Sequence, residues 1–211
     1  MNPKNMILRT PFAERLCHWL MVICFMLVAL SGLSWFFPSM SWLSSVLGTP
    51  QLARILHPFL GVVVFLALMF LFVRLVKYNL PEPEDRLWFA NVKDVLMGRH
   101  NKALQVGKYN SGQKLLFWGI MSLITLLLIS GVLIWRPYFA PFFPIPVIRV
   151  GALLHSLTGI CLILLIIGHA YMGFWVKGSI GGMVTGYVSR KWAKTHHDRW
   201  FKQIDSKKDH P

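Results

Sequence analysis

Four long stretches of this 211-residue chain contain no Asp, Glu, Lys or Arg. They are residues 17–37, 55–73, 115–135 and 150–176. Each is long enough to cross the hydrocarbon core of a bilayer, which takes about 20 mostly apolar residues. With 55% hydrophobic and 14% charged residues, the composition is too apolar for a soluble domain of this length. The sequence therefore predicts a multi-pass membrane protein.

The predicted fold is an all-α membrane protein, a single domain over residues 1–211 in which four transmembrane helices form a bundle. The helices are expected at about residues 17–37, 52–76, 114–135 and 147–175. The first has no small-residue cleavage pattern after it, so we expect it to be retained and not removed as a signal peptide. A long loop (78–113) and a tail (177–211) remain. The tail mixes aromatic and basic residues and is expected to lie at lipid headgroups.

Basic residues are distributed unevenly and predict the topology. The chain has 22 Lys and Arg against 8 Asp and Glu, a formal charge of +14. Most lie before the first helix, in the loop 78–113 and in the tail, whereas the other two connections carry only Arg54, Arg136 and Arg149. By the positive-inside rule both termini and the long loop are cytoplasmic, as in a bacterial inner-membrane protein. Topology accounts for the charge, so no nucleic-acid partner is predicted, whereas anionic lipids are.

Histidines are the polar residues that the apolar stretches do contain. Of the eight in the chain, four lie in polar segments and are expected to be ordinary solvated residues: His100, His196, His197 and His210. The other four lie within the apolar stretches: His18, His57, His155 and His169. A histidine in hydrocarbon requires a partner. The three cysteines show no CxxC or CxxCH spacing, which argues against a disulfide framework and a covalently attached c-type haem.

Depth groups the four intramembrane histidines into two pairs. His155 and His169 are fourteen residues apart, about 21 Å along a helix, and fall within about 40° of one helical face. The predicted topology puts His57 level with His155 on the periplasmic side, and His18 level with His169 on the cytoplasmic side. Two imidazoles at one depth can ligate a haem iron axially, which leaves an electron carrier with no open coordination site. Two stacked haems are therefore expected.

Other interpretations of these histidines stay open at this point. They could form unrelated interhelical hydrogen bonds, line a proton path or belong to a metal transporter, although no acidic residue lies in these stretches. Glycines near the histidines favour haem, because a glycine one turn away clears the ligand's own face for a porphyrin. Those one turn away are Gly61, Gly151, Gly159 and Gly173, and Gly32 lies at the depth of the His57 pair. Arg54, Arg136 and Arg149 are candidate partners of the haem propionates or simple boundary residues.

With these residues placed, the sequence resembles the cytochrome b (gamma) subunits of respiratory, membrane-bound formate dehydrogenases over nearly the whole chain. The stretches that carry the resemblance are "HWLMVICFMLVALSG", "GTPQLARILHPF", "GKYNSGQK", "GVLIWRPYFA" and "HAYMGFWVKGSI". The resemblance implies two b-type haems with the ligand pairs derived above. It also implies a complex with an iron–sulfur beta subunit that has its own membrane helix, and with a molybdenum- or tungsten-containing selenoprotein alpha subunit. Heterotrimers that assemble further are expected.

The same resemblance implies a quinone pocket at Asn110, Gly112, Gln113 and His169, which takes menaquinone or ubiquinone. From the residues alone, "KYNSGQK" is equally a polar turn and helix start. The expected activity is reduction of quinone on the cytoplasmic side with electrons from formate, whose oxidation occurs on another chain. Two alternatives stay open: the cytochrome b subunit of a membrane nickel–iron hydrogenase, and a haem-free membrane anchor for a peripheral enzyme.

Overall fold

The computed structural model describes residues 5–97 and 105–206. Its four longest helices, numbered with the others in chain order, are α1 (Phe12–Phe36), α2 (Pro50–Leu75), α5 (Ser111–Ile134) and α6 (Ile145–Trp175). All four have the length and apolar composition of membrane spans, the second of them including a 3-10 turn to Tyr78. The predicted class, an all-α membrane protein with four spanning helices, is confirmed.

The first spanning helix begins at Phe12 rather than at residue 17, and an ion pair compensates for the buried charge of Glu14 in its first turn. Glu14 is only 5% exposed, and one of its carboxylate oxygens accepts a hydrogen bond from Arg74 Nε at 3.1 Å. A buried carboxylate is costly unless it is paired. A search for uncharged stretches excludes this turn, which is why the sequence places the start too late.

The second spanning helix begins as its sequence indicates. Pro50 is its first residue, where the missing proline N–H costs no hydrogen bond. The Thr49 hydroxyl accepts from the Leu52 backbone N–H at 3.1 Å, so Thr49 is the N-cap. Two 3-10 segments lie between consecutive spans: Pro38–Leu47 between α1 and α2, and Ala140–Phe142 between α5 and α6.

The residues fall into two compact units. The bundle unit comprises Leu16–Val73 and Gly119–Tyr171, and the terminal unit comprises Met1–Arg15, Arg74–Trp118 and Met172–Pro211. The prediction of a single membrane domain stays a prediction. In the bundle unit, apolar side chains from all four spanning helices are buried: Cys24, Val64, Leu68, Leu71, Met121, Ile124 and Leu162.

The terminal unit contains a two-stranded sheet that the sequence analysis did not predict. Strand β1 (Met6–Leu8) pairs antiparallel with β2 (Tyr187–Ser189), and Ile7 lies opposite Val188. Strands of three residues are too short for an alternating pattern to be recognised. The unit also contains the short helices α3 (Glu84–Ala90), α4 (Val92–Leu96), α7 (Gly181–Val184), α8 (Arg190–His196) and α9 (Asp198–Ser206).

Two aromatic residues of the tail, Trp192 and Trp200, are buried inside the terminal unit. Trp192 and Trp200 are each 8% exposed and pack with Ile7 and Val188. The Arg9 guanidinium lies over both tryptophan rings, at 4.9 and 5.1 Å from their centroids. Burial lowers the pKa of Arg9 to about 10. These two rings thus pack inside the unit, in part against Ile7 of a strand far away in the sequence, and the headgroup position of the tail stays a prediction.

His197 is likewise buried, which contradicts the prediction that it is solvated. It is 2% exposed, and its Nδ1 lies 2.7 Å from the carbonyl oxygen of Gly107. Burial lowers the pKa of His197 to about 3, so the ring is neutral at physiological pH. Among residues 5–97 and 105–206 no group of three or more His, Cys, Asp or Glu side chains could hold a metal ion. His100 and His210 lie outside the described residues.

Candidate functional site

The four intramembrane histidines of the bundle unit meet in two pairs. The rings of His18 in α1 and His169 in α6 have centroids 6.5 Å apart, with an interplanar angle of 64°. The rings of His57 in α2 and His155 in α6 have centroids 6.2 Å apart, at 60°. These are the pairs that helix depth predicts. Helix α6 contributes one member to each pair, at positions about 21 Å apart along its axis.

Both spacings fit a metal ion held between the two rings. A metal–imidazole bond is about 2 Å, and a ring nitrogen lies about 1 Å from its own ring centroid. Two imidazoles on opposite sides of one ion therefore have centroids about 6 Å apart. The donors are neutral nitrogen ligands without a carboxylate, a set that suits the two axial positions of haem iron.

Two serines that the sequence analysis overlooked contact the second of these pairs. The Ser31 hydroxyl lies 2.9 Å from His57 Nδ1, and the Ser130 hydroxyl lies 3.0 Å from His155 Nδ1. Both serines are buried. A signal was present in the sequence, because each serine is followed by glycine, in "LSGL" and in "ISGV". Serine and glycine are common in membrane helices, so this repeat carries little weight without the contacts.

The environment of the other pair differs. His18 Nδ1 is buried and has no hydrogen-bond partner among the residues that the structure describes. The His18 ring instead packs edge-on against Trp19, with centroids 5.5 Å apart. His169 is more exposed than the other three histidines. The two pairs therefore have similar ring spacing but different polar surroundings.

The glycines near the histidines divide into two groups. A Cβ atom at Gly61 or Gly173, each one turn after a histidine, would meet no heavy atom within 4 Å. A Cβ at Gly151 would lie 3.2 Å from Leu133 Cβ, so this glycine allows α6 to pack closely on α5. Gly159 is intermediate, with Leu127 at 3.9 Å. Only Gly61 and Gly173 thus leave open the face that the sequence analysis assigned to a porphyrin.

Asn110 and Gln113 form a reciprocal N-terminal cap on α5. Asn110 Oδ1 accepts from the Gln113 backbone N–H at 2.9 Å, and Gln113 Oε1 accepts from the Asn110 backbone N–H at 3.0 Å. Their side-chain carbonyls are therefore engaged in the cap, whereas their NH2 groups are not part of it. Gly112 has a packing role, because a Cβ there would lie 2.9 Å from the Trp88 ring.

A polar network lies beside this cap in the terminal unit. Lys114 Nζ contacts Glu82 Oε2 and Asp85 Oδ2, each at 3.0 Å, and the Ser111 hydroxyl donates to Asp85 Oδ1 at 2.6 Å. Burial disfavours the charged form of Asp85. The hydrogen bonds to its carboxylate and the charge of Lys114 outweigh that effect, so the Asp85 pKa is below its ordinary value. These side chains and Asn110 line a shallow cleft.

The quinone residues implied by the resemblance are thus divided between the two units. Asn110, Gly112 and Gln113 belong to the terminal unit, and His169 belongs to the bundle unit. The three candidate propionate partners are exposed side chains of the bundle unit. Arg54 and Arg149 lie before His57 and His155 on the same helices, and Arg136 follows the end of α5.

A membrane bundle of four helices that brings histidines together in two facing pairs has the architecture of a membrane-bound cytochrome b. Comparison with known families agrees with this class. Residues 9–186 match the family described as prokaryotic cytochrome b561, and the chain belongs to that family.

Curated relatives narrow the comparison and confirm the resemblance seen in the sequence. The nitrate-inducible formate dehydrogenase cytochrome b556(Fdn) subunit of Escherichia coli K12 is 56% identical over 97% of this chain and 94% of its own. The formate dehydrogenase cytochrome b556(fdo) subunit of the same strain is 46% identical over 97% of this chain and 96% of its own. A formate dehydrogenase cytochrome b556 subunit of Haemophilus influenzae is 45% identical over 92% of this chain and 81% of its own.

Proposed function

We propose that this chain is the di-haem cytochrome b subunit of a formate dehydrogenase complex and that it delivers electrons to quinone across the bacterial inner membrane. The observation that carries the proposal is the two pairs of facing imidazoles, with centroids 6.5 and 6.2 Å apart. The names of the relatives support formate, and not hydrogen, as the source of the electrons. A haem-free anchor would have no use for two such pairs.

In this proposal His57 and His155 hold one b-type haem, and His18 and His169 hold the other. When bound, haem at these two histidine pairs would supply one-electron transfer. The protein fixes their separation, because α6 provides a ligand to each at positions about 21 Å apart. Arg54, Arg136 and Arg149 are proposed to pair with propionates, a role for which guanidinium groups are suited.

The direction of transfer follows from the proposed topology. With both termini and the loop 78–113 cytoplasmic, the His57–His155 pair lies on the periplasmic side and receives the electrons. Moving a unit charge through the whole membrane potential costs about 2.3 kcal/mol per 100 mV. The proposed haem-to-haem step spans about 21 Å of about 30 Å of hydrocarbon, so moving one electron across it costs roughly two-thirds of that free energy. Quinone reduced with cytoplasmic protons would then contribute to a proton-motive force.

Asn110, Gly112, Gln113 and His169 are each proposed to bind the quinone, which is menaquinone or ubiquinone. The capping geometry supports a donor role for the two amides. Their carbonyl oxygens are engaged with the α5 backbone, which orients each NH2 group away from the cap, where it can donate to a quinone carbonyl. Gly112 keeps the helix start close to Trp88.

Isosteric acids separate the donor role from the capping role. Asn110→Asp and Gln113→Glu keep the acceptor oxygens that cap α5 but remove the NH2 donors and add negative charge. We expect quinone KM to rise about tenfold or more in each variant, with haem content and electron entry unchanged. Steady-state kinetics with a soluble quinone analogue measures this. A variant with normal KM would contradict the pocket assignment.

The proposed partners are an iron–sulfur beta subunit with its own membrane helix and a molybdenum-containing selenoprotein alpha subunit, in heterotrimers that assemble further. Anionic lipids are proposed to contact the basic cytoplasmic segments. The formate-oxidising site lies on the alpha subunit in this arrangement.

The first test is to count haem per chain. A dithionite-reduced minus oxidised spectrum identifies b-type haem, and a pyridine haemochrome assay on the purified chain gives the stoichiometry. The proposal expects about two b-type haems for each polypeptide. A well-folded preparation with no haem would leave the four histidines to packing or proton transfer and would overturn the proposal.

A further inference from the structure

We infer that Ser31 and Ser130 are positioning residues for the haem held by His57 and His155. Each hydroxyl accepts a hydrogen bond from the Nδ1–H of one histidine, which leaves Nε2 free to bind iron and lowers the reduction potential of this haem. The inference rests on the proposed function, since it requires these histidines to be haem ligands.

The two contacts have the same construction on different helices. Ser31 in α1 is fully buried and lies 2.9 Å from His57 Nδ1, while Ser130 in α5 is 4% exposed and lies 3.0 Å from His155 Nδ1. Each hydroxyl also contacts a carbonyl oxygen four residues earlier in its own helix, at 2.9 Å for Leu27 and 2.6 Å for Leu126. A serine of α1 thus contacts the histidine of α2, and a serine of α5 contacts the histidine of α6.

These contacts define which atom carries the proton. A serine hydroxyl has one hydrogen to donate, and a backbone carbonyl oxygen is an acceptor only. With that hydrogen donated to its own helix, the serine oxygen accepts from the imidazole. The carbonyl oxygens of Val28 and Leu127 lie 3.0 and 3.3 Å from the same two hydroxyls and are further acceptors for that hydrogen. Both rings therefore carry hydrogen on Nδ1, and in the neutral ring Nε2 has the free lone pair.

The glycine after each serine leaves room for the ring. A Cβ atom at Gly32 would lie 3.5 Å from His57 Cε1, and one at Gly131 would lie 3.3 Å from His155 Cε1. A larger side chain at either position would press on the imidazole at the carbon next to the coordinating nitrogen. The Ser-Gly pairs of α1 and α5 thus act as matching supports, in which the serine orients a ring and the glycine accommodates it.

The two pairs should differ in redox behaviour for this reason. An imidazole that donates a hydrogen bond from its other nitrogen is a more basic ligand. A more basic axial ligand stabilises ferric iron more than ferrous iron and lowers the potential. His18 has no such partner for Nδ1 among the described residues. The His57–His155 haem is therefore the lower-potential one, as suits the haem that receives electrons first.

The test is a redox titration of both haems in the purified complex, monitored by their visible absorbance. Ser31→Ala and Ser130→Ala are compared with Ser34→Ala, a buried serine of α1 that donates to the Ser31 carbonyl at 2.6 Å. Each of the first two should shift one haem about tenfold toward the reduced form, about +59 mV for one electron. The other haem and Ser34→Ala should stay at wild-type potentials. Ser130→Thr keeps a hydroxyl and should restore the potential.

Each outcome has a defined meaning. A shift in the reduction potential of one haem alone supports the inference. Loss of one haem alone in Ser130→Ala, with that haem retained in Ser130→Thr, supports it too. Two haems at unchanged potentials in the Ser31→Ala, Ser130→Ala double variant would overturn it and leave the proposed function intact. Equal changes in both haems, matched by Ser34→Ala, would also overturn it, because they indicate loosened packing. Wild-type protein without two b-type haems would instead contradict the proposed function itself.

Discussion

Replacing His155 by alanine is expected to remove one of the two proposed haems and to abolish quinone reduction. The imidazole of His155 faces that of His57 at 6.2 Å, so its loss leaves one axial position without a ligand. The haem held by His18 and His169 should remain, since those side chains are elsewhere along α1 and α6. We expect haem per chain to fall from about two to about one, and electron transfer from formate to quinone to fall at least about 100-fold.

Haem stoichiometry and activity measured on the same preparation check this expectation. His196→Ala is the control, because His196 belongs to the terminal unit and to neither pair. Formate oxidation with an artificial acceptor should persist in the complex, because that site is proposed to lie on another subunit. A His155→Ala complex with full quinone reduction would refute the two-haem route.

Enlarging Gly61 or Gly173 to leucine is expected to exclude one haem without a clash inside the protein. A Cβ at either position meets no heavy atom within 4 Å, so the fold itself does not oppose a side chain there. Each glycine lies one turn after a proposed ligand and on its face, which is where a porphyrin would approach the helix. Gly61→Leu should displace the His57–His155 haem, and Gly173→Leu the His18–His169 haem.

Gly168→Leu is the matched control for this experiment. A Cβ at Gly168 also meets nothing within 4 Å, but Gly168 is adjacent to His169 and so points about 100° away from it. We expect two haems per chain in Gly168→Leu and about one in Gly61→Leu and Gly173→Leu, measured as pyridine haemochrome. Equal haem content in all three variants would mean that the faces of Gly61 and Gly173 contact lipid or partner.

Much of the bundle was predictable because the features that define it, apolar length and position along the helix, can be read from each helix separately. Long uncharged stretches indicate spans, and the distance from a helix end indicates the depth of a residue. That arithmetic was sufficient to pair His57 with His155 and His18 with His169, as the ring distances now record. The helix boundaries were less accurate, since α1 includes Glu14, which pairs with Arg74 from a distant part of the chain.

Local sequence was also ambiguous where one residue could serve two purposes. "YNSGQ" indicated a helix start or a quinone site, and the structure adds a capping box between Asn110 and Gln113 that occupies their carbonyls. The quinone-binding role remains a proposal for the side-chain NH2 groups of Asn110 and Gln113. The serines of "LSGL" and "ISGV" had no distinguishing feature in the sequence, because their partners are on other helices.

Hydrophobic length and helical rise are properties of one helix at a time, so the residues alone were enough to predict the four spans and the pairing of the histidines. Folding brings Ser31 and Ser130 to their imidazoles and buries Trp192 and His197. It also pairs Met6–Leu8 with Tyr187–Ser189. Such contacts join residues far apart in the chain, and their stability depends on the exclusion of water by packing that no local pattern encodes.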